Sequence, residues 1–235
     1  MVPGCWPEPT YIDIMSIPAN SEDVKRRYNS PRRRAQAAST RRDIIDAARR
    51  LFERSGYAAT TLAAIATEAD VAVETIYRSF DGKAGLLEAV IQAAVAGGAD
   101  RAQVPVTERP AISAVMEEPD ARKKIALHSA TQPGIHARSG PMLRALREAA
   151  AADEDLRQTY DRLEQQRLNG MSHYAQDLIG TEQTRHDLSH EDIRDTLWTL
   201  TSIEVHDRLV IQRRWKPQEY VEWLTEAITR LVLEP

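Results

Sequence analysis

The chain has 235 residues, 42% hydrophobic and 28% charged, enough for one large core or two modest ones in a globular fold. Its net charge is −4, it has a single cysteine (Cys5), and no apolar run nears the roughly 20 residues of a membrane span. An internal disulfide, a cysteine-rich metal site and a membrane-spanning helix are thereby excluded.

The first residues, MVPGCWPEPTYIDIM, lack the basic start and unbroken apolar stretch of a secretory signal, so a cytoplasmic location with no membrane partner is expected. Residues 1–38 contain Pro3, Pro7, Pro9, Pro18 and Pro31 without a sustained period and read as a disordered, basic N-terminal arm. Between Val24 and Thr60 eleven Lys and Arg face three acidic residues (Asp43, Asp46, Glu53), a net +8 that leaves about −12 elsewhere. That imbalance suits a basic module tethered to an acidic body. Arg32, Arg33 and Arg34 precede the first expected helix, where a flexible arm reaches phosphates or a minor groove, or serves only for solubility.

Helix 1 is expected from near Thr40, where Thr40 and Asp43 sit at capping-box spacing, to Gly56, with Ile44, Ile45, Ala48, Leu51 and Phe52 inward. The next stretch, Thr61 to Lys83, has the length and patterning of two short helices joined by a tight turn. Leu62, Ile65, Ala66 and Ala69 recur at helical spacing after a Thr60 or Thr61 cap; Asp70 breaks the run; Val71, Ile76 and Phe80 begin a second stripe. With Ile76 inward, Glu74 and Arg78 fall on the far side and Thr75 and Tyr77 on the flanks, a face of hydrogen-bonding groups on a helix short enough for a major groove about 12 Å wide.

ATTLAAIATEADVAVETIYRSFDGKAGLL closely resembles the DNA-binding domain of the tetracycline-repressor (TetR) family of bacterial transcriptional regulators. The resemblance rests on Thr61-Leu62, the IAxxAxV run, the TIYRSF run, and Lys83 with the Leu pair after it. Asp70 stands where that family commonly has Gly, and Ala72 where it commonly has a Ser cap. The resemblance implies that Tyr77 donates to a backbone phosphate, and Thr75 is similar. Lys83 combines its ammonium with the free amides of the next helix as a phosphate clamp. Arg78 has the chemistry to read guanine, Glu74 to accept from cytosine or pair with Arg78, and Val73 to touch a thymine methyl. Thr61 and Arg41, with Arg32, Arg33 and Arg34, complete the candidate set for double-stranded operator DNA.

The expected organisation is all-α: an arm (1–38), a three-helix head with helix-turn-helix (39–84), and a larger helical bundle (85–235). Helix 4 runs from about Lys83 to Ala96. The body then reads as helices over Ile112 to Glu117, Asp120 to His136, Pro141 to Ala151, Glu154 to Ile179, His190 to Arg214 and Pro217 to Leu233, with a kink at Gln132 to Gly134.

The resemblance implies a body that binds an inducing small molecule and dimerises through its last helices. Ile193, Leu197, Leu200, Val221, Leu224 and Ile228 supply apolar surface for a homodimer, which would set two reading helices about 34 to 36 Å apart. His128, His136, Met142, Tyr174, Trp198, Thr201 and Ser202 offer an apolar pocket with polar handles. His186 and His190 straddle a helix start, which argues against a metal, and no cofactor motif or GxSxG, HExxH or phosphate-loop signature points to an enzyme. The reading is a ligand-responsive DNA-binding regulator, a repressor by resemblance alone; the alternative is a helical scaffold with a degenerate head.

Overall fold

The structure, a computed structural model, describes residues 21–234, with side chains from residue 31 onward. The first twenty residues of the expected arm lie outside the described residues. The chain divides into two units between Ser39 and Thr40, and the unit from Thr40 onward holds both the head and the body.

Helix α1 spans Ser21–Ala59. Its early start overturns the expected beginning near Thr40 and places Pro31 and Arg32 to Arg34 inside a helix. The local reason is legible in SEDVKRR, which sets acidic residues in the first turn and good helix formers after it. Gly56, at φ 77°, interrupts α1 where the sequence predicts its end. Helices α2 (Leu62–Glu68) and α3 (Val73–Phe80) follow, then α4 (Lys83–Ala96) and a short α5 (Ala99–Ala102). The body continues with α6 (Pro110–Glu117), α7 (Ala121–Ala149), α8 (Glu154–Ile179), α9 (His190–Leu200), α10 (Ile203–His206) and α11 (Pro217–Val232). Among the described residues no strand forms, as an all-α fold requires; a lone bridge joins Thr184 to Leu233.

Two expected breaks are placed differently. The kink at Gln132 to Gly134 and the fresh start at Pro141 are absent: α7 is one helix with Pro133 and Pro141 inside it. An interior proline costs about 3 kcal/mol through its lost N–H and ring clash. Against this, α7 buries Ala121, Ile125, His128, Gln132, His136, Ser139, Met142 and Leu146 on successive turns through both prolines. Burial of each large aliphatic chain contributes roughly 1.5–3 kcal/mol. Conversely, His190 to Arg214 is not one helix. The Thr201 hydroxyl donates to Leu197 O at 2.7 Å, and Ser202 caps α10 by accepting from Val205 N. A π-helical turn, Asp207–Gln212, then ends the segment.

Buried apolar residues fall into two clusters. One joins α1 to α4 with Met142, Leu146, Ala150 and Leu156. The other holds Ile125 of α7, Tyr174 and Leu178 of α8, Ile193 and Leu197 of α9, and Tyr220, Leu224 and Ile228 of α11. Helix α7 contributes its first half to the second cluster and its second half to the first.

Candidate nucleic-acid interface and body site

The head presents α3 through a set of local devices. Thr61 caps α2 by accepting from Ala64 N at 3.1 Å, and Asp70 takes up the left-handed conformation, φ 52°, that the turn needs. Ala72 begins α3 without a side-chain cap. At the other end Asp81 is left-handed (φ 55°) and its N–H returns to Tyr77 O. Gly85 then allows the first turn of α4 to press on the last turn of α3: a Cβ there would stand 1.9 Å from Phe80 O.

With Ile76 and Phe80 buried, the outward face is the one the periodicity predicts. Tyr77 is 58% exposed, Glu74 and Arg78 are exposed, and among the described residues no ion pair joins those two charges. Both therefore remain available to a partner in the groove. Thr75 is part-exposed, and Val73 is half-buried against the head's core, which limits its reach to a base methyl.

Two of the residues expected at DNA also make contacts within the head. Arg41 donates to Ser79 O at 2.7 Å and lies over the Phe80 ring at 4.1 Å, so it caps the C-terminal turn of α3 rather than facing outward. Burial lowers its pKa. Lys83 lies over the Tyr57 ring at 4.2 Å and donates to Ala58 O at 3.4 Å, which ties the start of α4 to the end of α1. Three further arginines are paired, Arg42 with Asp100, Arg49 with Glu53 and Arg50 with Glu68. The basic segment is thus less available than its +8 suggests. In the unit before Thr40, Arg32 and Arg33 are exposed.

The body holds a layer of buried polar and aromatic side chains along α7. His128 stacks on Tyr174 of α8 with ring centroids 4.4 Å apart. Two turns on, His136 packs on His206 at 4.6 Å, and Tyr220 of α11 meets His206 edge-on at 5.3 Å. Gln132, between them, donates to His128 O. Several polar atoms here are buried without a hydrogen-bond partner among the described residues: His128 Nδ1, both ring nitrogens of His136, the Tyr174 and Tyr220 hydroxyls, and Trp198 Nε1. The Thr201 backbone also acts on His136, in the opposite direction to burial. Burial pushes His128 down to about 4; burial, then the neighbouring His206, push His136 down to about 3, so both imidazoles are neutral at pH 7.

Of the expected ligand residues, His128 and Tyr174 meet, and His136 lies two turns further along α7 against His206. Trp198 contributes its indole nitrogen while Arg167 covers its ring at 4.7 Å. Thr201 and Ser202 are committed to helix caps. Met142 belongs to the head-facing cluster, where it lines a cavity of about 130 Å³ with Phe52, Tyr57, Leu87 and Leu156.

Residues 44–90 match the family model described as "Bacterial regulatory proteins, tetR family". The chain is thus similar to the TetR family over its head. A curated relative, the uncharacterized HTH-type transcriptional regulator YvkB of Bacillus subtilis (strain 168), is 46% identical over 52 residues, 22% of this chain and 28% of that protein. The chain thus matches just over a quarter of that relative's length. Among solved structures, a TetR-family regulator from Rhodococcus sp. superposes with a TM-score of 0.62 at 20% identity, over 82% of this chain and 98% of its own. A transcriptional regulator from Saccharomonospora viridis, solved with choline, gives 0.59 at 19% over 84% and 99%. The fold therefore extends through the body of this chain, while sequence likeness is concentrated in the head.

One expectation drawn from the apolar patterning of the last helices needs correction. Ile193, Leu197, Leu224 and Ile228, offered as dimer surface, are fully buried in the chain's own core. The apolar surplus of these helices goes to covering α7 and α8, and only Leu200 and Val221 of the set stay part-exposed. Sequence reasoning also missed Gln132, His206 and Tyr220. Tyr220 lies on the same stripe as Leu224 and Ile228, which is the signal that could have found it.

Proposed function

We propose that this protein is a dimeric, ligand-responsive regulator that binds operator DNA through α3 and leaves it when a small molecule occupies the body. The observation that carries the reading is the outward face of α3, where exposed Tyr77 flanks Glu74 and Arg78, which have no ion-pair partner among the described residues. Arg78 reads a base, Glu74 a neighbouring one, and Tyr77 and Thr75 hold phosphates. Arg32, Arg33 and Arg34 add sequence-independent affinity. Leu200 and Val221, with the other outward residues of α9 and α11, form the dimer contact.

Helix α7 supports a route between the sites. It carries His128 and His136 in its first half, and in its second half it packs Met142 and Leu146 against the head. Arg138 donates to Ala94 O at 2.9 Å, capping the end of α4. Displacement of α7 by a ligand is thereby delivered to α4 and the head, and it shifts the equilibrium only if the ligand binds the two arrangements with different affinity. The Saccharomonospora viridis neighbour, solved in complex with choline, supports the response of such a fold to a small molecule.

The test is binding to DNA from around the protein's own gene, titrated with salt, beside Arg78→Ala and Tyr77→Phe. A salt-sensitive, two-fold site that loses specificity with Arg78→Ala and affinity with Tyr77→Phe supports the reading. Binding no tighter than to random DNA would instead favour a scaffold with a degenerate head.

A further inference from the structure

Resting on that reading of the body as a ligand site, we infer that its ligand is an apolar small molecule whose polar group is a hydrogen-bond acceptor, a carboxylate or carbonyl, held by Tyr174, Tyr220, His128 and His136, and that cationic ligands are rejected.

Buried polar atoms in folded proteins are almost always paired, and each unpaired one costs about 1–3 kcal/mol. Here Tyr174, Tyr220, His128 and His136, each at least nine-tenths buried, leave five side-chain atoms without a well-formed hydrogen bond among the described residues, spread over two turns of α7 and the helices packed on it. Trp198 Nε1 adds a sixth. A core designed only for packing would place phenylalanine and leucine at these positions.

The indole excepted, these groups can accept as well as donate, so the charges around them set which polar group is admitted. A tyrosine hydroxyl and an indole N–H can donate, and a neutral imidazole donates through one nitrogen. Each carboxylate described near the layer already has a cation. Asp207 accepts from Arg144 through both oxygens, at 2.9 and 3.2 Å; Asp177 accepts from Lys124 at 2.7 Å; Glu164 pairs with Arg167 at 2.9 Å. An ammonium entering the layer would meet no free anion among the described residues: the Asp207 carboxylate that acts on His136 is already held by Arg144, and the Arg167 guanidinium acts there as well. An acceptor would meet several free donors. Among the described residues no three His, Cys, Asp or Glu side chains converge as a metal site, so a cation is not supplied that way either. Ile125, Leu178, Leu197 and Leu224, all fully buried, belong to the same apolar cluster as Tyr174 and Tyr220, so the rest of the ligand would meet apolar side chains.

The test uses the full chain without DNA and two matched sets of probes: octanoate, octanamide and octyltrimethylammonium, and the same three head groups on naphthalene. Binding is read by isothermal titration and by the shift in thermal midpoint. The acid or the amide of at least one set binds, its trimethylammonium counterpart does not, and Tyr174→Phe and Tyr220→Phe each weaken binding on the order of 5- to 20-fold. The ligand-free midpoint of each Phe variant equals or exceeds that of the wild type, because the hydroxyl removed had no partner; this separates a lost contact from a lost fold. Tighter or equal binding of the cationic probe, unaltered affinity in both Phe variants, or silence from all six probes would overturn the inference. Because no DNA is present, failure of the DNA-binding reading shows up separately, in the Arg78→Ala titration.

Discussion

Arg41→Met separates positioning from contact in the head. The substitution keeps the apolar stem but removes the guanidinium that donates to Ser79 O at 2.7 Å and covers the Phe80 ring at 4.1 Å. A hydrogen bond from a charged donor is worth about 1.5–3 kcal/mol and a cation–π contact about 0.5–1. Arg41 is half-exposed, so solvent screening reduces the sum to about 1–2 kcal/mol. If all of this appears as poorer placement of α3, operator affinity falls about 5- to 30-fold. The assay is fluorescence anisotropy on operator DNA over a range of salt concentrations, because placement and phosphate contact differ in slope. A positioning residue lowers affinity by the same factor at every salt concentration. A phosphate contact flattens the plot of log K against log salt by about 0.9 for each head. A flattened slope for Arg41→Met would refute the assignment; Arg33→Ala, whose side chain is exposed, is expected to show that flattening.

Gly85→Ala forces a Cβ to within 1.9 Å of Phe80 O, backbone that cannot swing aside, so the head loses about 1–3 kcal/mol or more in chemical denaturation and operator binding falls with it. Leu224→Ala opens the chain's own core and costs about 2–5 kcal/mol. That loss should be the same at two protein concentrations twentyfold apart, whereas a residue of the dimer contact would give a concentration-dependent loss. His128 and His136 have folded pKa values near 4 and 3, below the ordinary 6.5, so the unfolded chain binds more protons at acid pH. Stability is therefore full above about pH 6.5 and falls as pH drops toward the folded values, by up to about 2 kcal/mol per histidine at pH 5. His136→Leu is expected to flatten this dependence in denaturant titrations between pH 7 and 5, and an unchanged slope would refute it.

The head is legible in the sequence because its signals are local. Thr61 caps three residues ahead, Asp70 supplies its own turn, and Ile76 fixes which side of α3 faces out. Arg41 misleads because its partner, Ser79 O, is 38 residues away and nothing near Arg41 announces it. Pro133 and Pro141 mislead for the opposite reason. Their local cost is plain in the sequence, while the continuous buried stripe that outweighs it exists only once α8 and α11 are packed alongside. The same applies to Ile193, Leu197, Leu224 and Ile228: periodicity marks them as inward or outward, but cannot say whether the covering surface belongs to the same chain. Thr201 and Ser202 are polar residues in an apolar run, a pattern shared by pocket linings and helix caps.

The continuity of α7 also bears on how the protein comes apart. A helix that donates Ile125 to one apolar cluster and Leu146 to the other leaves neither cluster complete without it. Melting the head exposes one half of α7, melting the body exposes the other, and either event removes support from what remains. Head and body from Thr40 onward are therefore expected to unfold in a single transition, with the slowest-exchanging amides of α1 and of α11 opening at the same free energy.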